Sequence, residues 1–226
     1  MGIVASDSGF ETVIRSLAAT NLNSSYLIPL KLGKKLDNLP DKDLDRFNAI
    51  ILYDYDYTNK GTFRKLTEYV KSGGVVFIDS GVETKESDNR NTSTPLIFPF
   101  ASLKREGLGE SWDLGFTDAD SLQKGVDVSE FSPPVFDETE WKFAYPENDK
   151  LQNDEKILLT NHGKPILTSG KIGSGTVIWS GMNIFYHVSR YNNLSEGVFL
   201  KNIISLGVAV EKNAPVTVDI NRNRHN

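Results

Sequence analysis

The 226-residue chain has no cysteine, which removes disulfides, thiolate nucleophiles and thiolate metal sites together. Long apolar runs are also missing. No stretch approaches the roughly 20 residues needed to span a bilayer, so the sequence reads as a soluble domain. Clustered positive charge is absent too: 25 Lys and Arg stand against 30 Asp and Glu, a net charge of -5. Without basic clusters there is nothing to neutralise a phosphate backbone, and nucleic acid is not an expected partner. The Met1–Ala5 start carries no signal-peptide pattern, and no regular metal-loop spacing or cofactor motif occurs, so neither a metal nor a cofactor is expected.

What is present is a foldable apolar fraction of 38%, with 12 Phe, 8 Tyr and 3 Trp, well above what a disordered chain carries. The first 80 residues alternate strand and helix signals. Ile3 to Ala5 is a short apolar run, and Phe10, Val13, Ile14 and Leu17 then recur at helical spacing. Tyr26 to Leu32 reads as an edge strand because Pro29 cannot donate to a ladder. Ala49 to Tyr53 is a continuous apolar run of the kind buried on both faces of a parallel sheet. Residues 61 to 72 form an amphipathic helix ended by Ser72-Gly73-Gly74, and Val75 to Ile78 is the next buried strand.

After Gly81 the pattern breaks. Residues 82 to 153 are rich in turn formers, with aromatics at Phe98, Phe100, Trp112, Phe116, Phe131, Phe136, Trp141, Phe143 and Tyr145. A structureless loop of that length is improbable in a compact domain, so the segment reads as an inserted β-rich layer capping one end of the sheet, anchored by its aromatics. Order returns with strands at 156–160, 165–168 and 176–181 in an antiparallel meander, then a helix over 195–206 and a last strand over 216–220. The organisation expected is one α/β domain over residues 1–210, followed by a terminal strand and polar tail, 211–226. The start inside a strand and that tail both read as cuts in a longer protein.

Three sequence features invite a chemical reading. Ser80, with His187 and a carboxylate from Asp79 or Asp54, contains the residue types of a hydrolytic relay, but the local string Phe77-Ile78-Asp79-Ser80-Gly81 is not a nucleophile elbow. The carboxylates Asp54, Asp56 and Asp79 fall at the C-terminal ends of adjacent strands, where open α/β sheets place their ligands. Flanked by Tyr53, Tyr55 and Tyr57, they suit a carbohydrate, since an aromatic face stacks on C–H surface while carboxylates accept hydroxyl hydrogen bonds. The same residues serve equally as turn formers and strand residues. Gly170-Lys171-Ile172-Gly173-Ser174-Gly175 mimics a phosphate-cradling loop, yet it opens a strand where a P-loop opens a helix, and reads as a turn. Sequons at Asn23, Asn91 and Asn193 do not establish secretion.

The strings Phe47 to Leu52, Leu66 to Asp79 and Gly173 to Gly181 resemble the class I glutamine amidotransferase-like superfamily, in particular its non-catalytic branch of soluble modules in larger membrane-associated proteins. The resemblance implies a three-layer, flavodoxin-like α/β fold with a mostly parallel sheet. It also implies a cysteine after the strand ending at Ile78 and a histidine after a late strand. Here the first position reads Asp79-Ser80-Gly81 and the second offers His187, so the amidotransferase acyl-enzyme is lost. The expectation is a non-catalytic ligand-binding or protein-interaction module. Its candidate site comprises Tyr53, Asp54, Tyr55, Asp56, Asp79 and His187, its candidate ligand a carbohydrate or another protein, and its compartment, from the resemblance, extracytoplasmic. A Ser/His hydrolase or carbohydrate-active enzyme, and an architectural oligomerisation domain, are the competing readings.

Overall fold

A computed structural model describes residues 1–20, 28–40, 43–58, 60–80, 95–100, 102–107, 111–117, 119–132, 135–136, 139–140, 142–147, 151 and 155–208. Strands β1 (Gly2–Val4), β2 (Leu30–Lys31), β3 (Ala49–Leu52) and β4 (Val75–Asp79) are joined by helices α1 (Asp7–Ala19) and α2 (Phe63–Lys71). The later chain supplies β5 (Leu103–Gly107), β6 (Leu114–Phe116), helix α3 (Ala119–Leu122), β7 (Val135–Phe136), β8 (Thr139–Glu140) and β9 (Lys142–Pro146). Then come β10 (Lys156–Asn161), β11 (Lys164–Ile172), β12 (Gly175–Ser180) and helices α4 (Ile184–Tyr191) and α5 (Leu194–Ser205).

Eight strands form the main sheet in the order β2-β1-β3-β4-β12-β11-β10-β6. The pairs from β2 through β12 are parallel, and those from β12 outward to β6 are antiparallel. The α/β class and mostly parallel centre expected from the sequence are therefore present. Strand β2 lies at the edge, where Pro29 placed it. Residues 216–220 lie outside the described set.

The period-2 alternation of strand side chains divides the core in two. Ile51, Val75, Phe77 and Ile178 face α1, α4 and α5, burying Val13, Phe185, Val188 and Phe199. Ile50, Leu52, Val76, Ile78 and Trp179 face the other way, onto Phe63, Leu66 and Val70 of α2. Helix α4 follows from the apolar spacing of Ile184, Phe185 and Val188, all buried. Sequence patterning treated that stretch only as the segment carrying His187.

The inserted segment does what its aromatics suggested. Phe98, Phe100, Phe131 and Phe143 are buried, with Phe98 edge-on to Phe63 at 4.9 Å and Phe100 edge-on to Trp179 at 5.0 Å. Strand β9 pairs with β5 and crosses the end of β12, where Ala144 N–H donates to Gly181 O at 2.7 Å. A feature not foreseen is that β6, from inside the insertion, pairs with β10 and completes the main sheet. The side chains of Phe136 and Trp141 lie outside the described residues.

Candidate functional site

The C-terminal ends of β1, β3 and β4 gather most of the residues singled out by sequence, but alternation sends consecutive residues to different places. Tyr53, just past β3, turns into the helical face of α1 and α4. Its ring meets Phe185 edge-on at 5.7 Å, and its hydroxyl donates to Asn183 Oδ1 at 2.9 Å. Burial, with Asp79 and Asp54 nearby, pushes the Tyr53 phenol well above its ordinary value, so it stays a donor.

Asp79, the last residue of β4, is fully buried. It accepts from Ser180 Oγ at 2.8 Å and from the backbone N–H of Phe185 at 3.1 Å. Asn183 occupies the N-cap of α4 in the left-handed region, φ 55°, and its own side chain makes no cap bond. Asp79 fills that role from the sheet, satisfying a donor the first helical turn leaves open. Burial raises the Asp79 carboxyl to about 6, while the Phe185 amide and Ser180 hydroxyl pull it back.

Asp54 is exposed and also left-handed, φ 45°. Its Oδ2 accepts from Ser6 Oγ, the N-cap of α1, which in turn accepts from Gly9 N–H at 3.0 Å and lies 3.1 Å from Ser8 Oγ. Ser6, Ser8 and Asp54 thus meet between β1 and β3, the point where the strand order reverses. Ser6 and Ser8 were missed by sequence reading, although Ser6-Asp7-Ser8-Gly9 ahead of an apolar helix is an N-cap signal that points to them.

Tyr55 and Tyr57 go to the α2 face, stacked on each other at 6.4 Å, with Tyr57 edge-on to Phe63 at 4.8 Å. Asp56 joins the turn beside Lys35: its backbone pairs with Lys34 O and Leu36 N–H, and its Oδ1 accepts from Tyr57 N–H at 2.7 Å. The acidic aromatic cluster is therefore split across both faces of the sheet.

Ser80 and His187 are also separated. Ser80 follows Ile78 onto the α2 face, where its buried Oγ accepts from Trp179 Nε1 at 2.9 Å. His187, on α4, is 2% exposed on the opposite face. Its Nδ1 lies 2.8 Å from Glu196 Oε1 on α5, itself 1% exposed, and its ring sits 5.8 Å from Trp112 and 5.0 Å from Tyr191. Asp79 approaches neither Ser80 nor His187 through any described bond. The Ser80–His187 relay considered from sequence is not assembled, because one residue of offset in β4 places its members on opposite sides of the sheet. Glu196 was missed; the spacing Asn193-x-x-Glu196 is a capping-box signal that marks a helix start and does not point to a buried pair with His187.

The glycine-rich turn after β11 is packing. A Cβ on Gly173 would lie 2.6 Å from Lys71 O, and one on Gly175 would lie 2.0 Å from Val70 O. Carbonyl oxygens at the end of α2 crowd this turn, so its near side offers acceptors where a phosphate needs donors. Among the described residues, no cluster of three or more His, Asp or Glu side chains could hold a metal ion.

A mostly parallel sheet centred on β1 and β3 with helices on both faces is an amidotransferase-like α/β fold. Among solved structures, the chain is similar to a cytoplasmic protein of Salmonella typhimurium at TM-score 0.59 and 15% identity, covering 88% of this chain and 87% of that one. It is similar to a ThuA-like protein from Bacteroides uniformis at TM-score 0.57 and 12% identity, covering 90% and 88%. A β-galactosidase from Rahnella sp. R3 contains the same fold in part, at TM-score 0.51 and 11% identity, with 91% of this chain matching 30% of that one. No family model and no curated protein matches the sequence.

Proposed function

We propose that this chain is a non-catalytic amidotransferase-like module that binds a ligand or a partner and turns over no substrate. One observation carries the reading. The positions where the related enzymes keep nucleophile and base hold Ser80 and His187, each buried, each engaged in a structural contact, on opposite faces of the sheet. Phe100 packs on Trp179, the residue that donates to Ser80 Oγ, and β9 crosses the end of β12, so the surroundings of Ser80 are taken up by packing contacts. Asp54 with Ser6 and Ser8 forms an accessible polar group, where a carboxylate and hydroxyls can meet the hydroxyls of a carbohydrate or a polar loop of a partner protein. The Rahnella enzyme supports the idea that such a domain works inside a larger protein; a membrane-associated parent rests on the family resemblance.

The test pairs an assay with a binding screen. Purified protein is incubated with glutamine and with simple esters, and is screened against soluble glycans by thermal shift, with Asp54→Ala as control. No turnover, and a glycan-dependent shift lost in Asp54→Ala, is the expected result. Hydrolysis abolished by Ser80→Ala or His187→Ala in protein that remains folded overturns it.

A further inference from the structure

Residues Leu122–Ser132 run across α5, and every bond described between them and that helix joins a side chain of α5 or of its N-cap Asn193 to their backbone. Asn202 Nδ2 donates to Leu122 O at 2.9 Å and Lys124 O at 3.0 Å. Ser195 Oγ accepts from Asp127 N–H at 2.8 Å and lies 2.9 Å from Asp127 O. Asn193 Nδ2 donates to Glu130 O at 2.6 Å, and Glu196 Oε1 accepts from Ser132 N–H at 2.7 Å. Asp127 to Glu130 are exposed, so most of these bonds compete with water and define a segment of low local stability.

Glu196 differs from the other fasteners. It is fully buried, its Oε1 takes both the Ser132 amide and His187 Nδ1, and its Oε2 accepts no hydrogen bond among the described residues. A buried carboxylate whose bonds converge on one oxygen depends on both donors to offset its desolvation. The strap also roofs the pair: Phe131 packs on Phe199 at 5.6 Å and on Trp112 at 6.4 Å, and Trp112, edge-on to His187, donates from Nε1 to Ser132 O at 3.1 Å. Lifting Ser132 breaks the Glu196 bond and the Trp112 bond together.

We propose that Leu122–Ser132 is a strap that opens from α5 as one unit, with the charge on Glu196 as its catch, and that the group it shields is the His187–Glu196 pair. Opening presents an imidazole hydrogen-bonded to a carboxylate, which closure hides from solvent.

Hydrogen exchange on the intact chain at pH 7, wild type against Glu196→Gln, tests it. Glutamine keeps the shape and one acceptor oxygen but loses the charge, and charge-assisted hydrogen bonds are roughly twice as strong as neutral ones. The amides of Asp127 and Ser132, the two that donate to α5 side chains, should therefore exchange about tenfold faster in the variant, to a common extent, with β4 and β12 unchanged. Carbethoxylation of His187 should speed up by the same factor. Unchanged strap exchange, loosening of β4 and β12 to the same degree, or His187 reactivity that does not follow the strap overturns the proposal. If the variant does not fold, wild-type exchange decides: one shared protection across these amides, well below that of β4 and β12, supports the strap, and protection equal to the strands overturns it.

Discussion

Asp79 Oδ2 accepts the backbone N–H of Phe185 at 3.1 Å, so the end of the central strand β4 caps helix α4 across 106 residues of sequence. Replacing Asp79 with Ala leaves that amide and the Ser180 hydroxyl without their buried acceptor. We expect a loss of about 1–3 kcal/mol, read by urea denaturation at pH 4.5. Because burial raises the folded carboxyl to about 6 from 3.8, the unfolded chain releases this proton first as pH rises. Asp79 therefore makes the protein less stable from about pH 4 to about pH 6, by up to about 3 kcal/mol. The gap between wild type and Asp79→Ala should narrow by pH 8.

Glu155, just before β10, poses the same problem. It is buried against Gly170, where a Cβ would lie 2.4 Å from its carboxyl carbon. Burial raises its carboxyl to about 7, and the Thr168 hydroxyl, close by but outside good hydrogen-bonding geometry, offsets only part of that. The sign matches Asp79: stability falls as pH climbs from about 4.5 to about 7. Glu155→Gln should raise stability at pH 8 by as much as about 3 kcal/mol and change it little at pH 4.5. Melting temperatures of both proteins at the two pH values check this.

Gly175→Ala should be among the most damaging small substitutions in the chain. Its Cβ would lie 2.0 Å from Val70 O and 2.3 Å from Gly74 O, both backbone atoms that cannot swing aside. We expect a loss of about 3 kcal/mol or more, or insoluble protein. Alanine at Gly163, where φ is +74° but nothing lies within 4 Å, should be clearly milder because only backbone strain remains.

Asn193 is the N-cap of α5 through Oδ1 to Glu196 N–H at 3.0 Å, while its Nδ2 holds Glu130 O. Asn193→Ala should cost about 1–2 kcal/mol. A glycan on Nδ2 would displace the Glu130 bond, and Ser195 of the same sequon is buried. Chain produced in a glycosylating host should therefore be unmodified at Asn193 in its folded fraction, checked by peptide mass analysis. Asn23 and Asn91 lie outside the described residues.

The sheet was legible wherever local pattern and final burial agree. Ile50, Ile51 and Leu52 are apolar on both faces and form a central strand; Phe63, Leu66 and Val70 at helical spacing are the buried stripe of α2. The site was less legible because it depends on which face each residue takes. Tyr53 and Tyr55 sit two apart, yet the backbone leaves the strand at Asp54, φ 45°, and the alternation fails there. Ser80 looked like a neighbour of His187 because both follow strands, but nothing in Asp79-Ser80-Gly81 announces which residue turns inward. Glu196 was hidden for another reason: its partners His187 and Ser132 come from a helix and a strap 9 and 64 residues away.

Strand β6 has a consequence for the boundary of the domain. Residues 114–116 supply the outermost strand, with Leu159, Thr160 and Asn161 of β10 registered against Phe116, Gly115 and Leu114. Trimming 82–153 to obtain a smaller core would strip that cover and leave the ladder of β10 with unpaired amides and carbonyls. Such an edge pairs readily with another chain, so the shortened protein should self-associate more readily than the intact chain, in which β10 is already paired with the three-residue strand β6.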